Sequence, residues 1–290
     1  MASWLLRLGV PLALVAGGGA PSMAQTAGDD PVKRGEYIFN AAGCLGCHTE
    51  SKEAPRLAGG RALKTPFGTF YGPNITPDPE TGIGGWTDED FIRALREGRS
   101  PDGTAYFPVF PYTSFTHLTD QDLRDLKAYL DAQPAVSKPN RPHDVSPPFG
   151  WRFLLPAWQA LFLEDGGLPP EPGRDAQWER GRYLVQAAGH CGECHSPRNF
   201  MGAVDHDRML AGSADGPEGK PVPNITSDPG KGIGKWSPGE IAFLLEIGMM
   251  PDGDFVGGGM NEVVENSTSK LTAEDREAIA AYLLTVPPGG

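Results

Sequence analysis

All four cysteines of the 290-residue sequence fall in two copies of one pentapeptide, Cys44-Leu45-Gly46-Cys47-His48 and Cys191-Gly192-Glu193-Cys194-His195. Two thiols three positions apart can each add to a vinyl group of one porphyrin, and the adjoining imidazole is then carried beneath the iron. Each copy therefore reads as a c-type haem attachment motif. A zinc knuckle would need paired clusters closing around four ligands, and a thioredoxin-like pair would need a βαβ context; neither surrounds these copies. The expectation is two covalently attached haem c groups, tethered by Cys44, Cys47, Cys191 and Cys194, with His48 and His195 as proximal ligands.

The far face of each iron must be served from elsewhere in the chain. Methionine is the usual high-potential distal ligand, and Met260 ends the run Val256-Gly257-Gly258-Gly259-Met260, a glycine loop able to bring a thioether to iron. Met249 and Met250 close the preceding helix and read as packing residues. Counting from Pro251-Asp252-Gly253 reaches Met260; the same count from Pro101-Asp102-Gly103 reaches Phe110, which cannot ligate iron. No methionine lies between Cys47 and the connecting segment. His117, just before the closing helix, is the nearest competent group for the first haem, the alternative being a surface histidine. His143 is a weaker candidate, and His190 and His206 receive no role.

These ligands need elements to hold them, and the chain supplies the same set twice. Gly35-Glu36-Tyr37 and Gly181-Arg182-Tyr183 precede the motifs; Asn74-Ile75-Thr76, Gly82-Ile83-Gly84 and Trp86 return as Asn224-Ile225-Thr226, Gly232-Ile233-Gly234 and Trp236. Thr87 and Ser237 read as N-caps of middle helices over 87–96 and 237–247. Thr119 and Thr272, each with an acid three residues on, read as capping boxes of closing helices. Each half is expected to be a small all-helical haem domain in which the helix before the motif packs on the closing helix. The repeated Asn-x-Thr reads as a structural turn. Between the halves, proline-rich ends flank an aromatic run from Gly150 to Leu163, read as packing over the seam, with a docking patch as the alternative.

Residues 1–24 have the basic start, apolar stretch and Ser22-Met23-Ala24 site of an export signal, so the mature chain is expected to be periplasmic. No other segment has the roughly 20 apolar residues of a membrane span. A formal charge of −12 disfavours nucleic acid and anionic lipid and suits a basic docking surface on a partner protein.

The run Gly72-Pro73-Asn74-Ile75-Thr76-Pro77-Asp78-Pro79, continuing to Phe91, together with Tyr106-Phe107-Pro108-Val109-Phe110-Pro111-Tyr112 and both motifs, resembles bacterial cytochromes c that accept electrons from periplasmic dehydrogenases for alcohols and sugar acids. The resemblance implies an all-α fold of two tandem class I cytochrome c domains, 25–133 and 177–290, joined by a Pro-rich linker at 134–176. Such relatives often carry methionine at the place of Phe110 or near Leu118. This sequence departs at both, so the first distal ligand is not carried over. Many relatives also have a third haem and a C-terminal anchor, and this sequence carries neither motif. The implied function is electron transfer from a dehydrogenase to a downstream cytochrome or oxidase, with membrane association only through a partner. The alternative is a dihaem redox enzyme, thiosulfate dehydrogenase-like or peroxidase-like, with the first haem as reactive site.

Overall fold

Two glycines set where the principal helices cross. In the computed structural model, which describes residues 30–289, α1 (Pro31–Ala41) starts at the N-cap Asp30, whose carboxylate accepts from the Val32 N–H at 2.9 Å. It lies so close to α5 (Asp120–Asp131) that a Cβ on Gly35 would stand 1.8 Å from the Asp125 carbonyl oxygen. Only a residue without a side chain fits there. The second half repeats the crossing with α7 (Ala176–Tyr183) and α11 (Ala273–Leu283), where a Cβ on Gly181 would stand 1.9 Å from the Ala278 carbonyl. The helix before each motif thus packs on the closing helix, as the sequence predicts. The expected export signal, residues 1–24, lies outside the described residues.

Apolar positions at helical spacing make the crossing cohesive. Ile38 and Phe39 of α1 are buried with Leu123, Leu126, Tyr129 and Leu130 of α5, and the Phe39 and Tyr129 rings stand 5.0 Å apart. Arg34 straddles Asp125 with two 2.8 Å hydrogen bonds, and Arg180 straddles Asp275 with two of 2.7 Å. The apolar core is continuous between the halves, running from Ile38 through Tyr183 and Leu184 to Leu283.

The attachment helices are short: α2 (Cys44–His48) and α8 (Gly192–His195). The middle helices are α3 (Asp88–Glu97) and α9 (Pro238–Ile247), each opened by a complete capping box at Thr87 or Ser237. α4 (Tyr112–Phe115) and α10 (Gly258–Asn266) precede the closing helices. In the second half one more residue separates Tyr183 from Cys191 than separates Tyr37 from Cys44. The surplus is taken up by a π turn over 184–188, with the Gly189 N–H bonded to the Leu184 carbonyl at 2.7 Å.

The expectation of an all-α chain needs correction, because a mostly helical fold here includes a small antiparallel sheet. β1 (Ala62–Thr65) pairs with β2 (Gly68–Tyr71), which pairs in turn with β3 (Asp144–Val145). The reason is local: a tight turn at Pro66-Phe67 with Gly68 at φ 138° reverses the chain, and Phe70 is buried against Phe107. The corresponding stretch of the second half keeps only one bridge, Ser213 to Val222.

The connecting stretch is bonded to both halves. The Gln159 side chain of α6 (Leu155–Phe162) donates to the Glu97 and Gly98 carbonyls at the end of α3, and Trp158 donates to the Met201 carbonyl at 2.9 Å. This is the seam packing expected of the aromatic run. Part of that run nevertheless faces outward, with Phe153 72% and Leu161 68% exposed.

The halves also complete each other. The Tyr37 hydroxyl donates to Asp275 at 2.5 Å and accepts from the Thr272 N–H at 3.1 Å, while Tyr183 donates to Asp122 and accepts from the Thr119 N–H at 3.0 Å. Each closing helix keeps the first limb of its box, Thr119 or Thr272 accepting from the backbone three residues on. The second limb is a tyrosine from the opposite half, inserted between the N-cap N–H and the acid.

Candidate haem centres

A single helical turn places the first cysteine, the second cysteine and the histidine of each motif along neighbouring positions of one face. The His48 Nδ1 lies 2.9 Å from the Pro73 carbonyl oxygen, and the His195 Nδ1 lies 2.8 Å from that of Pro223. A carbonyl only accepts, so Nδ1 carries the proton in both rings and Nε2 is left as the ligating atom. Burial lowers the pKa of both imidazoles against the opposing effect of these bonds. Both therefore favour the neutral, ligating form.

The proline carbonyls are themselves held in place. Asn74 Oδ1 accepts from the Thr76 N–H at 2.9 Å and its hydroxyl at 2.7 Å; Asn224 does the same for Thr226, at 2.7 Å each. The repeated Asn-x-Thr is thus the structural turn read from sequence, an Asx turn. Leu57 and Leu210 both adopt φ 63°, and their carbonyls accept from Ile75 and Ile225 at 2.9 Å, tying the loop after each motif to its Asx turn. Nothing in the sequence marked these leucines, and the proline carbonyls were signalled only by their place in the repeat.

The four cysteines form no disulfide. Burial pushes the Cys44 thiol up to about 12 and Cys191 to about 12, and raises Cys194 as well. Paired thiols beside an imidazole with a free Nε2, set among apolar residues, fit a covalently held haem. That group would supply a one-electron iron couple, and the chain would supply its tether, a ligating nitrogen and burial.

Met260 sits on the first turn of α10, half-buried against the core, rather than in a loop before it. Arg61 and Lys52 of the first half reach Glu262 and Glu265 of that helix, each at 2.9 Å. Phe110 lies among aromatic rings, edge to face with Tyr106 at 5.8 Å and packed on Phe115 at 5.8 Å. The His117 Nδ1 lies 2.5 Å from the Gly166 carbonyl, which likewise leaves Nε2 free, and burial lowers its pKa. His143 accepts from the Tyr71 N–H at 3.1 Å and packs on Phe70 and Phe107.

Two buried turns, each fixing the Nδ1 of a histidine behind a pair of thiols, define a c-type cytochrome. The cytochrome c family profile matches residues 32–133. The chain is 47% identical to a "Diheme cytochrome c-type" protein of Cereibacter sphaeroides, covering 97% of this chain and 98% of that one. It is 38% identical to the cytochrome c subunit of the alcohol dehydrogenase (quinone) of Gluconobacter oxydans and 39% identical to the fructose dehydrogenase cytochrome subunit of Gluconobacter japonicus. It spans 98% and 88% of its own length in these two, but only 60% and 52% of theirs. The chain belongs to the cytochrome c family, and its role is electron transfer.

Proposed function

We propose that the chain is a periplasmic dihaem cytochrome c, built as two class I domains at 25–133 and 177–290 with a Pro-rich linker at 134–176. It takes electrons singly from a dehydrogenase and hands them to a downstream cytochrome or oxidase. The observation that carries this reading is the duplicated proximal site, in which each motif histidine is fixed through Nδ1 to a proline carbonyl. The relatives' names support a dehydrogenase as donor. Location rests on the signal-like residues 1–24, and no described helix is long and apolar enough to cross a membrane.

In this reading Cys44 and Cys47 would hold the first haem with His48 as a ligand, and Cys191 and Cys194 the second with His195. Met260 would supply the second haem with a thioether, which favours a higher potential. His117, with Nδ1 engaged by Gly166, would supply the first haem with a second imidazole, which favours a lower one. Haem quantification should return two per chain. M260A should change the spectrum of one haem and H117A that of the other, each with both haems retained. Rapid cyanide or carbon monoxide binding by the untouched protein would instead favour an enzyme with the first haem as reactive site.

A further inference from the structure

The position before the first cysteine differs between the motifs in a way that the shared fold does not require. In the first half it is Gly43, at φ 59°; in the second it is His190, at φ 39°. A side chain is strained in that region, and glycine is not. His190 is also associated with the extra residue of the second half, whose accommodation costs a π turn immediately upstream. Strain and an irregular helix kept together beside a binding motif call for a reason in the side chain.

Its surroundings supply one. The imidazole crosses the seam, with Nε2 3.2 Å from the Ala42 carbonyl oxygen, two residues before Cys44. Its ring packs edge to face on Phe115 at 5.4 Å, and Phe115 packs on Phe110. One peptide bond joins His190 to Cys191, and two more join Ala42 through Gly43 to Cys44. The two attachment segments are therefore linked by a single hydrogen bond.

We infer that His190 is a positioning residue for electron exchange between the two halves, fixing the short contact between the segment that carries Cys191 and the one that carries Cys44. One electron leaves one iron and arrives at the other; no bond forms or breaks, and the imidazole neither gains nor loses a proton. The inference rests on the two-haem reading above.

H190G tests it, because glycine suits the backbone at this position and is the residue the first half uses. Haem count, both haem spectra and melting temperature should be retained or, for the last, raised. Exchange between the haems should slow severalfold, read from the line shapes of the paramagnetically shifted haem methyl resonances in half-reduced samples extrapolated to infinite dilution. T113A removes a different seam contact, the 2.9 Å bond to Glu193, and should leave exchange unchanged. Unaltered exchange in H190G, or equal slowing in T113A, overturns the role of His190. A wild-type protein with fewer than two haems overturns the underlying reading instead.

Discussion

In the first half the His48 imidazole is fixed by the Pro73 carbonyl, and in the second the His195 imidazole is fixed by Pro223, within 0.1 Å of the same distance. Phe110 and Met260, by contrast, occupy matching counts in the two halves and share no metal chemistry. The proximal arrangement uses backbone carbonyls on Asx turns, so changes of side chain elsewhere leave it intact. In the proposed ligation the distal position would depend on one side chain, whose replacement would change the iron's environment without undoing the fold. A duplicated chain can thus keep two attachment sites alike and let their electronic properties diverge.

The helix crossings offer the most forceful test of how alike the halves are. G35A and G181A each push a methyl group into a carbonyl oxygen, and each should cost about 3 kcal/mol in urea unfolding. A large difference between the two would show that the crossings do not carry equal weight.

The tyrosine exchange should reveal an inequality. Tyr183 and Asp122 are buried, at 1% and 0% exposure, whereas Tyr37 is half-buried and Asp275 keeps both bonds from Arg180. Y183F should therefore cost about 2 kcal/mol and Y37F about 1 kcal/mol by the same unfolding measurement. Equal losses would mean that burial does not distinguish the two contacts.

Alkaline titration should give the smallest effect. Burial, and next to it the bond to Asp275, pushes the Tyr37 hydroxyl up to about 12; burial and Asp122 raise Tyr183 well above 10.0. The fold holds both phenols protonated, so their contribution is complete below pH 10 and is lost as pH rises through the raised values. Unfolding free energy should decline between pH 10 and 12, and Y37F should flatten part of that decline.

Much of this organisation was legible in the residues. The pentapeptides named the cofactor chemistry, Thr87 and Ser237 marked helix starts to the residue, and the Gly-x-Tyr repeats marked the packed helices. Local patterns misled where a distant group intervened. Thr119-x-x-Asp122 and Thr272-x-x-Asp275 read as self-contained boxes, yet the partner of the Thr272 N–H comes from 235 residues away. No window of a few residues contains that information. The sheet escaped notice because its two longer strands have only four residues each and Pro66 interrupts their sequence. His190 was visible as an extra residue, but its meaning required Ala42 and Phe115 to be placed beside it.

The crossed tyrosines bear on how the chain is made. Synthesis runs from the N-terminus, so α5 emerges before Tyr183 exists to finish its first turn. Tyr37 must wait longer still, for an acid 238 positions later. The closing helix of the first half thus lacks one limb of its N-terminal cap until Tyr183 is present, and the closing helix of the second half takes its own from a residue near the start of the described chain.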